Sequence, residues 1–257
     1  MNSQIEINGI HVHFQRECKT TKPNATLLFL HGWGGSSSSW DLNIAELSNH
    51  FDCIAVDLPG FGVSDKPQLT WGVADYASFI KSFAEKLELN KFVIVGKSFG
   101  GRVGIYYASK WPETLKNLIL VSSAGIEKPG IVAIFKVGLA KLGKSLISKV
   151  LPKFESNARN IYYNLFGIKR TESDYKWEVK KLVTRTDLSE EAKNITVPTL
   201  IIWGSNDKVL PLKVGKKLNR LIKKSIFTII KGGHNAHIES ASEFNSIVLK
   251  YSTSSNL

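Results

Sequence analysis

The sequence predicts an α/β fold, a mostly parallel sheet with helices on both faces, and two observations carry that expectation. Short runs of Val, Ile, Leu and Phe recur at 26–30, 53–56, 92–95 and 118–121, each bounded by turn residues. They are too continuously apolar for strands with one wet face, so they read as strands buried on both sides. Between them lie segments with helical spacing, 74–87 and 102–111. Strands that alternate with helices imply right-handed crossovers and a parallel sheet.

The first element departs from that pattern. Residues 5–14 alternate Ile5/Ile7 and Ile10/Val12/Phe14 around Asn8-Gly9, which is a hairpin signal, so the sheet should be mixed at that edge. The alternation resumes late, with strands at 199–203 and 225–230, a helix at 212–222 between them and a closing helix at 239–251. From 126 to 196 no strand pattern is visible. That stretch holds helical segments at 131–150 and 175–184, broken by Gly130, Pro152 and Gly167. It is expected to be a helical cap, residues 126–196, inserted into a core made of 1–125 and 197–257. The tail 252–257 is small and polar and should fray.

Composition narrows the function. With 257 residues, 43% hydrophobic and 22% charged, the chain is neither disordered, collagenous nor fibrous. The net charge of +12 invites nucleic acid or an anionic surface as partner, but 28 of the 34 basic residues are Lys. Lys is a strongly hydrated point charge rather than the planar fork that reads bases and phosphates, so no nucleic-acid partner is expected. Half of the excess falls in 126–196, which has 14 basic and 8 acidic residues. Cys18 and Cys53 form neither a metal-binding spacing nor a disulfide framework, and they suit a reducing compartment. No basic leader precedes an apolar run, and no apolar stretch approaches the roughly 20 residues that span a bilayer, so a cytoplasmic location is expected.

The chemistry begins at Phe92-Val93-Ile94-Val95-Gly96-Lys97-Ser98-Phe99-Gly100-Gly101, a strand that runs into G-x-S-x-G and then a helix. In that context the glycines permit a sharp turn that lifts the Ser98 hydroxyl above the sheet edge. Gly96-Lys97-Ser98 also looks like the end of a phosphate-binding loop, but that motif needs a glycine where Lys91 stands. Serine is a weak nucleophile that needs a base, itself oriented by an acid. Asp207 follows one late strand and His234 the other, in the order Ser, Asp, His of a nucleophile-elbow hydrolase. Asp207 could instead simply cap its turn. Among the other histidines His237 is the nearest rival, whereas His11, His13 and His50 read as surface or packing residues. An oxyanion hole needs two backbone donors: Phe99 N–H supplies one, and Trp33 N–H, in the glycine-rich His31-Gly32-Trp33-Gly34-Gly35, is the candidate for the other. The His31 side chain is expected only to brace that loop.

Together these segments resemble the α/β-hydrolase family. The matching pieces are HGWGG at His31, DLPGFGVSD from Asp57 to Asp65, GKSFGG at Gly96, PTLIIWGSND from Pro198 to Asp207, and GGHNAHIE from Gly232 to Glu239. The resemblance implies the α/β-hydrolase fold, an eight-stranded core with its cap after the sixth strand. It also implies Ser98 as nucleophile, His234 as base then acid, Asp207 orienting His234, and Trp33 with Phe99 as oxyanion donors. No cofactor and no metal are expected. Ser rather than Asp at the elbow disfavours the dehalogenase and epoxide-hydrolase branches. Lys97 stands where His, Glu or Asn is often found, and as a neighbour pointing away from Ser98 it is expected to be solvated.

The function expected is hydrolysis of a small-molecule carboxylic ester through an acyl-serine. Alternatives on the same triad are C–C bond hydrolysis of dienoic acids, proline iminopeptidase-like amide cleavage and cofactor-free perhydrolysis. The C–C branch usually carries a Gly-Pro-Gly loop and a Trp beside the histidine, where this chain has Gly34-Gly35-Ser36 and Asn235-Ala236-His237. A second class of reading, a ligand- or membrane-surface-binding protein with a slow triad, is motivated by the basic amphipathic segment 131–150 and is not favoured. A cap helix laying its apolar face over the cleft with its lysines in water accounts for that segment better, given the triad.

Overall fold

Asn8 and Gly9 both take positive φ, 53° and 78°, as the turn of a tight hairpin requires. They join β1 (Asn2–Ile7) to β2 (Ile10–Glu17) with Ile7 opposite Ile10. The computed structural model describes residues 2–126 and 174–253. After the hairpin come β3 (Thr26–Leu30), α1 (Asp41–Leu47), β4 (Asp52–Val56), α2 (Val73–Lys86), β5 (Phe92–Lys97), α3 (Phe99–Lys110) and β6 (Leu115–Val121). Beyond 173 follow α4 (Asp174–Arg185), α5 (Ser189–Lys193), β7 (Thr199–Gly204), α6 (Leu212–Leu221), β8 (Ser225–Ile230), α7 (Ala236–Glu239) and α8 (Ala241–Thr253).

The strands form one eight-stranded sheet in the order β1-β2-β4-β3-β5-β6-β7-β8. β1 and β2 pair antiparallel, β2 meets β4 antiparallel, and every later pair is parallel. The mixed edge is therefore where the hairpin signal puts it. Because side chains alternate along a strand, each central strand feeds two cores. Leu27, Phe29, Val93, Val95, Ile119, Val121, Leu200 and Ile202 pack with Trp40 just before α1, with Ile44 of α1 and with Phe244 and Val248 of α8. The alternate residues face the other layer, where Gly104 of α3 lies against Ile94, Leu118 and Leu120, and Gly215 of α6 against Trp203 and Phe227. Continuous apolar strands thus follow from burial on both faces.

The chain divides into two compact units, 1–126 with 186–257, and 127–185. Of the second unit only α4 lies among the described residues, and it covers the helix expected at 175–184; the helix expected at 131–150 lies outside them. Residues 186–196, grouped with the insertion by their lack of strand pattern, belong to the unit of the sheet. Leu188 N–H donates to Gly125 C=O at 2.7 Å, and Leu188 and Ala192 are buried. A five-residue helix such as α5 is too short to leave a periodic signature. The same holds for α1, seven residues that no spacing announced. The closing helix is broken at Ser240, whose hydroxyl turns back to donate to Lys231 C=O at 2.8 Å, so the chain forms α7 and α8.

The switch in strand order lies at β3, which has β4 on one side and β5 on the other. Ligands of such sheets bind at the carboxyl ends of the strands at that point. One packing contact gives a direct test. A methyl at Gly215 would lie 2.6 Å from both the Phe227 and the Trp203 rings. Helix propensity favours alanine over glycine by about 1 kcal/mol, whereas forced overpacking costs about 1 to 3. Gly215→Ala is expected to lower the melting temperature by several degrees in a thermal scan; a rise would show that α6 does not approach the sheet this closely.

Candidate active site

Ser98 sits between the last residue of β5 and the first of α3 at φ 51° and ψ −104°. A non-glycine residue there costs on the order of 1 to 3 kcal/mol, held by the surrounding structure. The flanking glycines make the turn sterically feasible: a methyl at Gly96 would lie 2.6 Å from the Gly100 carbonyl oxygen, and one at Gly100 would lie 2.2 Å from that of Leu30. Ser98 N–H donates to Val121 C=O at 3.0 Å and Gly100 N–H to His31 C=O at 3.1 Å, which ties the elbow to β6 on one side and to the loop after β3 on the other.

The structure brings Ser98, His234 and Asp207 together. The Ser98 hydroxyl lies 3.1 Å from His234 Nε2, and His234 Nδ1 lies 2.8 Å from Asp207 Oδ2. An ionised carboxylate only accepts, so the proton belongs on Nδ1 and Nε2 faces the hydroxyl as acceptor. Asp207 also caps its turn, because its Oδ1 accepts Val209 N–H at 2.9 Å and Leu210 N–H at 2.8 Å. The two readings of this residue are therefore compatible: one oxygen shapes the loop and the other orients the imidazole. The Asp207 side chain is 0% exposed and that of His234 16%, so the pair opens to solvent only on the histidine side. Burial, with the nearby Lys97 ammonium, pushes the His234 pKa below its usual value, against the pull of Asp207.

Backbone contacts hold the two loops in register. Asn206 N–H donates to Gly232 C=O at 2.8 Å, Ser205 N–H to Ile230 C=O at 2.9 Å, and the Trp203 indole N–H to Leu210 C=O at 2.8 Å. The Glu239 carboxylate accepts Gly233 N–H at 2.7 Å, next to His234. Glu239 and Trp203 are positioning residues that pattern reading passed over. Each lies inside a matching segment, but only the folded loops show what they hold.

Trp33 and Phe99 lie side by side, ring centroids 5.6 Å apart. Phe61, from the 57–65 loop, contacts both, at 5.1 Å from Trp33 and 5.7 Å from Phe99, and Tyr76 meets Phe99 at 5.1 Å. Phe61 is thus a further residue of the site that the sequence left without a role. Its loop is anchored by Asp57, which accepts Ser37 N–H at 2.6 Å and Val63 N–H at 2.9 Å. Burial alone would raise the Asp57 pKa, but those backbone donors outweigh it and hold the carboxyl below the usual range. Phe99 N–H, at the start of α3, has no backbone acceptor among the described residues, as first-turn amides of helices do not.

The remaining histidines are accounted for elsewhere, His50 being exposed just before β4. His31 is fully buried, its Nδ1–H donating to Gly32 C=O at 2.8 Å and its Nε2 accepting Leu58 N–H at 3.1 Å, so it braces two loops. His237 is buried with its ring 4.5 Å from that of Trp40, and burial pushes its pKa down to about 3. His11 and His13 pair with Asp65 and Asp57 at the hairpin edge. Lys97 is half-buried rather than fully solvated, its side chain packed against Gly32. Among the described residues no three His, Cys, Asp or Glu side chains are grouped to hold a metal ion, and no helix is long and apolar enough to cross a membrane.

Comparison with known proteins agrees with this architecture. The model of the alpha/beta hydrolase family matches residues 27–247. AB hydrolase superfamily protein YisY of Bacillus subtilis is 31% identical over 254 residues, covering 89% of this chain and 91% of that protein. The 2-hydroxy-6-oxononadienedioate/2-hydroxy-6-oxononatrienedioate hydrolase 1 of Pseudomonas putida is 28% identical, covering 95% and 92%. The crystal structure of the enol-lactonase from Burkholderia xenovorans LB400 superposes with a TM-score of 0.78 at 20% identity, over 98% of this chain and 100% of that one. With its eight-stranded sheet, its strained serine elbow and a family match across most of its length, the chain belongs to the alpha/beta hydrolase family.

Proposed function

We propose that the protein is a serine hydrolase that cleaves a carboxylic ester of a small molecule through an acyl-enzyme. The observation that carries this reading is the chain of contacts from Ser98 Oγ to His234 Nε2, and from Nδ1 to Asp207 Oδ2. In that mechanism His234 takes the Ser98 proton as Oγ attacks the carbonyl carbon. The tetrahedral oxyanion is met by the Phe99 and Trp33 amides, each worth about 2.7 to 4 kcal/mol of barrier. The imidazolium then protonates the leaving alkoxide and the ester bond breaks. A water, deprotonated by the same histidine, attacks the acyl carbon, and the acid leaves as Ser98 regains its proton. The insertion after β6 is proposed as the part that selects the substrate.

A second reading is supported by the likeness to the Pseudomonas putida hydrolase: attack on the keto carbon of a dienoic acid, with a carbon leaving group in place of the alkoxide. It uses the same residues. Gly34-Gly35-Ser36 and Asn235-Ala236-His237 count against it. An enol-lactone, the substrate class in the name of the Burkholderia protein, is a cyclic ester and fits the first reading. Turnover of p-nitrophenyl esters and lactones, set against a 2-hydroxy-6-oxo-dienoate, separates the two.

Ser98→Ala is expected to lower p-nitrophenyl ester turnover by at least about 10³-fold and to abolish labelling by a fluorophosphonate; full turnover in that variant would sink the assignment. Asp207→Asn keeps an oxygen for the Val209 and Leu210 amides but presents the wrong partner to His234. It should fold with a near-normal melting temperature and lose about 10³- to 10⁴-fold in kcat, whereas Asp207→Ala should lose stability as well. Phe61→Ala, which removes the ring between Trp33 and Phe99, should cost about 10- to 100-fold in kcat while Ser98 is still labelled. Because the His234 pKa is lowered in the folded protein, the neutral base persists below the usual histidine range. The acid limb of kcat/KM should therefore have its midpoint below about 6.5, read from a pH-rate profile.

A further inference from the structure

Strand β2 runs past the end of its neighbour β4. Phe14 is the partner of Val56, the last residue of β4, and the residues before Phe14 lie against the loop that follows. Side chains alternate along a strand, so His11, His13 and Gln15 share one face while Val12 and Phe14 are buried on the other. Each of the three holds a different segment. His11 Nδ1–H donates to Asp65 Oδ2 at 3.0 Å, and His13 Nδ1–H donates to Asp57 Oδ2 at 3.2 Å. Gln15 Nε2–H donates to Ser37 C=O at 2.8 Å. The backbone runs in parallel with these contacts, because Asp57 N–H donates to His13 C=O and Asp65 N–H to His11 C=O, both at 2.9 Å.

The His13 pair differs from the His11 pair in burial. His11 and Asp65 are both more than half exposed, whereas the Asp57 side chain is 3% exposed and that of His13 21%. An exposed pair holds little, but a buried carboxylate depends on its donors. Asp57 takes Ser37 N–H from the segment after β3, Val63 N–H from its own loop, and His13 Nδ1–H, the donor that comes from the sheet. The loop 57–65 closes tightly over this carboxylate: Gly62 takes φ 55°, and a methyl there would lie 2.0 Å from Asp57 Oδ2. Ser64 completes the tie, its Oγ accepting His13 N–H at 2.9 Å and donating to Asp57 C=O at 2.7 Å. Phe61 is the residue before Gly62, and its ring is the one set against Trp33 and Phe99.

We propose that His13 is a positioning residue of the site: its bond to Asp57 fixes the 57–65 loop and so holds the Phe61 ring against Trp33 and Phe99. The effect on turnover rests on the serine-hydrolase reading above, in which Trp33 and Phe99 carry the oxyanion donors; the effect on the loop does not. The route is short. It passes from imidazole N–H to carboxylate, from carboxylate to Val63 N–H across Gly62, and from Gly62 to the adjacent Phe61. The same carboxylate holds Ser37, four residues beyond Trp33, so one contact steadies both sides of the aromatic group. Donors aimed at a developing charge need a fixed support of this kind. The antiparallel edge of the sheet, far in the chain from Ser98, thereby contributes to the reaction.

The test compares His13→Leu and His13→Ala, which lack the donor, with His13→Asn, whose Nδ2 stands where the imidazole Nδ1 stood. Hydrogen exchange of the 57–65 segment is followed by mass spectrometry, and p-nitrophenyl acetate turnover is measured in the wild-type and Phe61→Ala backgrounds. In the Leu and Ala variants the segment should exchange roughly ten-fold faster and kcat should fall about 3- to 10-fold with KM little changed, while Asn restores both. In the Phe61→Ala background the Leu substitution should cost less than about two-fold more, because both changes act on one ring. Unchanged exchange in both Leu and Ala overturns the proposal, as does an equal loss of kcat with and without Phe61. A wild type that neither turns over the ester nor is labelled at Ser98 by a fluorophosphonate overturns the hydrolase reading instead, and the exchange rates still decide whether His13 holds the loop. Two donor-free replacements guard against one of them failing to fold.

Discussion

Helix α3 enters against the end of β3 at a separation that only glycine allows, with a methyl at Gly100 falling 2.2 Å from the Leu30 carbonyl oxygen. The rim of the sheet is built around that approach. It lets Gly100 N–H reach His31 C=O, so the loop after β3 and the start of α3 are fixed to one another. Trp33 and Phe99 are brought ring to ring, and Phe61 and Tyr76 close around them. The cost of the tight entry falls on Ser98, whose positive φ is sustained by the bonds on either side. A serine placed this way is rigid, and rigidity is what the proposed two-donor site for a developing anion needs.

Electrostatics in the site follow from sharing rather than accumulation. Asp207 divides its two oxygens between the turn it caps and the histidine it orients, so one buried carboxylate sets both loop shape and tautomer. The net charge of +12 has little to do with this. Between Lys208 and Lys231 the chain carries eight basic residues and no acidic one. On α6 the residues Lys213, Lys216, Lys217 and Arg220 are exposed, while Val214 and Leu218 are buried. These stems lie on the outer face of the helix, and Lys217 Nζ donates to Ile126 C=O at 2.9 Å. Lys97 is the contrast, a cation drawn inward beneath the loop at Gly32.

Much of this was legible in the chain itself. The strands 92–95 and 118–121 could be recognised because burial on both faces leaves no polar alternation, and the hairpin because Asn8-Gly9 favours positive φ twice over. Ser98, Asp207 and His234 could be named because each ends a strand in a loop with its own signature. Short elements were not legible: α1 and α5 span two turns or fewer, and the break at Ser240 depends on a hydroxyl finding Lys231 C=O across a turn. The fate of 186–196 was hidden for the same reason, since its burial comes from partners 60 and more positions away, such as Gly125.

The sequence by itself determined the architecture and the candidate reactive groups, because periodicity and turn chemistry are local properties. Tertiary structure alone decided how those groups act on each other. Phe61 bridging Trp33 and Phe99, Glu239 holding the Gly233 amide, and Lys97 turned under Gly32 rather than into water are all contacts between distant loops. Side-chain direction at the end of a strand is set by what the neighbouring strands leave open. At Lys97 that space was the gap beneath a glycine on β3's loop, 65 residues earlier in the chain.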